Sequence, residues 1–263
     1  MHLFSPPRLA RFLGVSLVAL GTAAAAAGPY DDGVQRYRTI LVADIGNALA
    51  GARRLHERVV AGDAAGAKAA WLAARAGWER SEVFTSGFVP DLDRDIDAWP
   101  DATKGFHAIE ARLFGANRTD MASEARTLVD NLDALSTGLR DMALNPQGLL
   151  NGIVRLAYEV GESKVDGGES RVSGTSLDDM RANVDGIDVA WRTIFASALA
   201  ARDAARDADI QRRIGVLRTI VAAPDLRRID PDDLRRVSEE LVVALQNAAP
   251  GLGLERPSLE EGN

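Results

Sequence analysis

Residues 175–198 read TSLDDMRANVDGIDVAWRTIFASA. Met180, Val184, Ile187, Trp191, Ile194 and Ala198 recur at steps of four, three, four, three and four, which lines them along one side of an α-helix. Thr175 or Ser176 can cap its start. Asp178 and Asp179 fall in the first turn, where the helix dipole favours acids. Residues 207–222 continue or restart the pattern.

Working outward, helical spacing dominates and no alternating strand stands out. Asp31 and Asp32 open a helix to about Ala61, ended by Gly62, and Asp63 caps another over 64–84. Residues 85–103 read as irregular, with Gly87, Pro90, Pro100 and five aspartates. A short helix follows over 105–114 and a longer one over 119–144. Asn145 and Pro146 supply a cap and a first-position proline for a helix to about Lys164, which Gly167 and Gly168 break. Asp230 and Pro231 begin a last helix to about Ala248. Seven or eight helices with short joins predict an all-α, antiparallel helical bundle, with 145–248 as a second four-helix bundle stacked on 31–144. Residues 28–250 read as one helical domain and 251–263 as a disordered tail.

Residues 1–27 read as a secretory signal peptide: basic Arg8 and Arg11, a short apolar core over 12–20, and small residues over 22–27. The apolar run is too short to span a bilayer and no second run follows, so no stable membrane insertion is expected. The leader holds two of the 31 basic residues and none of the 38 acidic ones, which leaves 29 against 38, a formal charge of −9. Such an acidic surface argues against nucleic acid as a partner. With no cysteine, an exported chain must be held by its core alone.

The chemistry concentrates on two helices. On a wheel of about 100° per residue with Trp71 at zero, Trp78 falls near about −20°, Glu82 near about +20° and Glu79 near about 80°. Glu82 thus continues a tryptophan stripe, where an ionised carboxylate must be paired, protonated or coordinated. In the short helix, His107 and Glu110 are three residues apart and flank the core face of Phe106, Ile109 and Leu113. Two facing i, i+3 pairs would supply three carboxylates and one imidazole. That donor set suits iron, manganese or calcium. Asp97 can reach the same cleft. The same spacings also describe solvated ion pairs, such as Arg75 with Glu79 or Arg80 with Glu82. The aspartates at 91–101 lack EF-hand spacing, and no His-Glu-x-x-His, Gly-x-Ser-x-Gly or phosphate-binding glycine loop is present. His56 reads as a boundary residue of the first helix.

Residues 105–110 (GFHAIE) resemble the Gly-x-His-x-x-Glu signature of the imelysin-like family, and within it the EfeO/EfeM branch of periplasmic iron-uptake proteins. Residues 78–82 (WERSE), 91–97 (DLDRDID), 159–164 (EVGESK) with 167–169 (GGE), and 182–186 (ANVDG) are similar to further signatures, in order. The resemblance implies two related four-helix bundles and a metal site at the histidine motif, with Glu79, Glu82, His107 and Glu110 as ligands. It implies a periplasmic protein that binds a metal cation, iron foremost, with zinc, copper and calcium as other candidates. An inner-membrane iron permease and a periplasmic peroxidase-type protein are the implied partners, in an EfeUOB-like system. The chain resembles the short form without a cupredoxin domain. Where the family shows Tyr-Ser-His-Thr-Asp-Leu, residues 172–177 read VSGTSL. A binding protein is favoured over an enzyme. The alternatives are an imelysin-type metallopeptidase and a binder of acidic polysaccharide, the latter if Arg75, Arg94, Arg112 and Arg171 converge.

Overall fold

A computed structural model describes residues 28–99, 103–165 and 168–259. The signal-peptide reading of 1–27 lies outside them, as do the last four residues of the expected tail. The described residues form helices and turns with no strand among them, an all-α bundle.

Helices α1 (Asp31–Val60) and α2 (Ala64–Phe88) are joined by three residues. Gly62 takes the left-handed conformation (φ +71°) and Asp63 accepts the N–H of Gly66 at 2.8 Å, so the chain reverses there. Three shorter helices follow: α3 (Pro90–Ile96), α4 (Gly105–Glu110) and α5 (Ala122–Gly138). Helix α6 (Pro146–Glu162) opens as its cap residues predict, with Asn145 accepting the N–H of Gly148 at 2.7 Å. Helices α7 (Ser176–Ala190) and α8 (Ala196–Val221) are joined by a π turn at Trp191–Phe195, and α9 (Pro231–Leu252) closes the fold under an Asp230 cap.

Helices α6 to α9 pack as a ring of four. The first group comprises α1, α2 and α5, with the short α3 and α4 where a fourth long helix would stand. Helix α2 belongs to both groups because it also packs on α6 and α7. Apolar residues of the two groups make one continuous core. Close approach is built in at Gly186 of α7, where a Cβ would lie 2.4 Å from the Arg80 carbonyl oxygen. Backbone therefore meets backbone at the turn of α2 that bears Glu79 and Glu82.

Several boundaries differ from the sequence reading. The stretch 85–103 contains α3, because Pro90 sits at its first position and Asp91 and Asp93 in its first turn. Residues 207–222 both continue and restart the long helix. Asp203 leaves helical geometry (φ −153°, ψ 81°), and its carboxylate accepts the N–H of Arg206 at 3.0 Å, which recaps the chain inside the rod. Within the stretch read as a disordered tail, contacts to the bundle run as far as Pro257. Glu255 N–H donates to the Gln147 side chain at 2.8 Å, the Gln246 amide donates to the Pro257 carbonyl at 2.9 Å, and Leu252 and Pro257 are buried. No helix among the described residues is long and apolar enough to cross a membrane.

Candidate metal centre

Five segments deliver charged side chains to one buried centre. Helix α2 contributes Arg75, Glu79 and Glu82 from the face that buries Trp71 and Trp78. Asp97 follows directly on α3 and accepts the Trp78 indole N–H at 2.7 Å. His107 comes from α4. That helix starts at Gly105, whose φ of +65° is left-handed and whose added Cβ would lie 2.0 Å from the Ile96 carbonyl oxygen. Only glycine lets the start of α4 sit against the end of α3, and this brings His107 beside Asp97. The segment between α6 and α7 supplies Lys164 and Glu169, and α7 supplies Asp179 and Asn183.

The ligand-type atoms converge. One oxygen each from Glu79, Glu82, Asp97 and Glu169 lie within 4.8 Å of one another, and Asp97, His107 and Glu169 meet the same limit. His107 Nε2 is 3.1 Å from Asp97 Oδ1 and 3.8 Å from Glu169 Oε1, yet it makes no hydrogen bond of good alignment, and neither does Glu79 Oε1. Both side chains are buried, 1% and 0% exposed. Arg75 Nε and Asn183 Oδ1 also lack a hydrogen-bond partner, while the other polar atoms are tied. The Asn183 amide donates to Glu79 Oε2 at 2.8 Å and Glu82 Oε2 at 2.9 Å. Arg75 pairs with Glu79, Asp97, Glu169 and Asp179. Lys164 pairs with Glu79, Glu82 and Glu169.

Mutual charges set the ionisation of these groups. Burial alone would raise Asp97, but Arg75 and His107 outweigh it and hold the carboxyl far below the usual range. Burial would lower His107, but the Asp97 charge raises it to about 11, so the ring is an imidazolium between Asp97 and Glu110 at neutral pH. Burial works against Glu169 too, yet Lys164, with His107 and Arg75 close by, brings it down to about 2. Asp179 goes the other way: burial lifts it to about 7 despite Arg75. Glu82 is pushed well up by burial and by the neighbouring Glu79. The buried carboxyl groups Glu79, Glu82, Asp97, Glu110, Glu169 and Asp179 thus outnumber the buried cations Arg75, Lys164 and the His107 imidazolium. Such a cluster is unfavourable unless protons or a further cation complete it. Oxygen donors with one imidazole are the set a hard cation takes.

Of the residues singled out in the sequence, Glu79, Glu82 and Asp97 stand in one converging set with Glu169, and His107 stands in the other with Asp97 and Glu169. Glu110 is not in either converging set. Its Oε2 lies 3.0 Å from His107 Nδ1, and its Oε1 accepts the Ser173 N–H at 2.7 Å and the Ser173 hydroxyl at 2.6 Å. It orients the imidazole, as carboxylates behind metal-binding histidines do. Glu169, Lys164 and Asp179 were absent from the sequence-based set. Their segments carried the only signal, the 159–169 and 182–186 signatures. Arg75, paired with Glu79 as spacing allowed, is buried and not solvated. Of the four arginines, Arg75 is buried in the centre, Arg94 pairs with Asp91 and Arg112 pairs with Glu124. His56 lies on a distant groove with Arg53, Arg126 and Asp133.

Comparison with known proteins adds three findings. The family model described as imelysin (Peptidase M75) matches residues 33–104 and 101–249. The iron uptake system component EfeO of Escherichia coli K12 is 32% identical over 163 residues, 58% of this chain and 43% of its own, and EfeO of Shigella flexneri matches equally. The chain thus matches less than half the length of these relatives. A crystal structure of a Parabacteroides distasonis ATCC 8503 protein shares the fold, with a TM-score of 0.67 at 16% identity over 84% of this chain and 95% of that one.

Proposed function

This chain belongs to the imelysin family, and from that premise we propose that it is a periplasmic cation-binding component of an iron-uptake system. Iron is its cargo. Glu79, Glu82, Asp97, His107 and Glu169 bind the ion, His107 giving up its Nε2 proton as it does so, Glu110 orients His107, and an inner-membrane permease takes the ion onward, with a periplasmic peroxidase-type protein as the further partner. The EfeO relatives, components of an iron uptake system, support the iron-uptake reading. A secretory leader over 1–27 would carry the helical domain 28–250 to the periplasm.

One observation carries the proposal: oxygens of Glu79, Glu82, Asp97 and Glu169 meet within 4.8 Å in a buried centre, His107 joins Asp97 and Glu169 in a second set of the same size, and His107 Nε2 and Glu79 Oε1 have charged neighbours but no aligned hydrogen bond. Buried polar atoms are rarely left so unless something else completes them. The acidic surface would help draw cations in. A peptidase would need a carboxylate free to act as base, whereas Glu110 is engaged through both oxygens.

Titration of the purified chain with Fe(II) under argon, Fe(III) as citrate, Zn(II) and Cu(II) tests the reading. His107→Ala and Glu169→Gln should each weaken binding of iron by at least about tenfold, the lower end of the effect of losing an oriented metal-site group. Equal affinity in wild type and both variants would place the ion elsewhere.

A further inference from the structure

Lys164 is one of three lysines in a chain with 28 arginines, and among the three it alone is buried, 1% exposed. Its Nζ lies 2.6 Å from Glu79 Oε2, 3.1 Å from Glu169 Oε2 and 3.5 Å from Glu82 Oε2. Those are three of the four carboxylates whose oxygens converge within 4.8 Å. A metal ion and an ammonium cannot share the same oxygens at such range, because their charges repel strongly where little water screens them.

The two buried cations differ in kind. Arg75 is a rigid fork, paired with four carboxylates and lying over the rings of Trp71 and Phe106 at 5.9 and 5.5 Å. Lysine is a compact point charge on a flexible stem of four methylenes. Lys164 sits just past the end of α6, outside any helix. A second anion stands close by: the Lys164 backbone N–H donates to the Glu159 carbonyl at 3.4 Å, and the half-buried Glu159 carboxylate, on the last turn of α6, is paired with Arg155 alone among the described cations.

We propose that Lys164 is a tethered stand-in for the cargo ion: its ammonium holds Glu79, Glu82 and Glu169 together in the metal-free protein, and the incoming cation takes those oxygens by displacing it. This rests on the cation-binding reading above. The ammonium keeps its charge and moves toward Glu159. Exchange of one positive charge for two or three limits the change in net charge of the centre. It also makes release easier, because the returning ammonium satisfies the carboxylates that the departing ion leaves.

The test uses Lys164→Met, Lys164→Arg and wild type, titrated with whichever of Fe(II) and Fe(III) wild type binds more tightly. Removal of the competing charge in Lys164→Met should tighten binding by about tenfold or more, within the roughly 5–150-fold span usual for one coupled equilibrium. Lys164→Arg keeps a cation in place and should bind no better than wild type. Amine labelling of wild type by reductive methylation, with Lys68 and Lys104 as internal references, should find Lys164 protected without metal and labelled at least about tenfold faster at saturation. If wild type binds iron but Lys164→Met binds no tighter, or Lys164→Arg tightens equally, displacement is overturned and the binding reading stands. Should Lys164→Met not fold, unchanged labelling at saturating iron overturns it alone. If no form binds iron, both readings fall together.

Discussion

His107 is held as an imidazolium by Asp97, against the burial that opposes it, with a pKa of about 11 in the folded chain against 6.5 for the free side chain. A group whose pKa rises on folding stabilises the fold fully below its unfolded value and loses that contribution as pH rises through the folded one. The stability difference between wild type and His107→Gln should therefore be largest below about pH 6.5 and shrink steadily toward about pH 11. Urea denaturation of both chains across that range checks it, and a gap that widens with pH would show that His107 is neutral in the fold. The pairing of His107 with Glu110 was legible in the sequence, because three residues along a helix put two side chains on one face whatever surrounds them. That Glu110 orients the ring was not. That role depends on Ser173, 63 residues away, filling its other oxygen.

Helix α4 is six residues long and too short to be stable alone. It is held by its ends. Gly105 packs on the Ile96 carbonyl, and the Trp71 indole N–H donates to the Phe106 carbonyl at 3.1 Å. Gly105→Ala should cost at least about 1–2 kcal/mol from left-handed strain alone, with more from the clash, and should weaken iron binding because His107 moves from Asp97. Denaturant midpoints and iron titration of the variant give both numbers; wild-type values in both would show that α4 is positioned by other contacts. Caps and breakers such as Asp63, Asn145, Pro146 and Asp230 were readable as helix starts because each acts on its own neighbours. Helix α3 was hidden in its acidic loop, where proline and aspartate serve a turn as well as a first helical turn. The contacts of residues 251–257 could not be foreseen, since their hydrogen bonds come from Gln147 and Gln246 on two other helices.

At the scale of the whole molecule, the centre ties together both helical groups. Glu79 and Glu82 lie on the helix the groups share, Asp97 and His107 in the first group, and Glu169 in the second, between α6 and α7. An ion bound there and not by the unfolded chain adds about 2.7 kcal/mol of stability at 100 times its Kd, about 5–10 °C in Tm for a chain of this size. Thermal melts with iron and with chelator measure this directly, and superimposable curves under saturating iron would mean that the ion does not bridge the groups. The class of fold could be read from apolar steps of three and four residues, because helical periodicity is a local property of the chain. The same holds for the two i, i+3 pairs and for the absence of any cysteine. Packing alone decided that Lys164, Glu169 and Asp179 join them, that the arginine beside Glu79 is buried, and that α2 serves two bundles. Those outcomes depend on which faces meet across tens of residues, and backbone contacts such as Gly186 against Arg80 set that meeting.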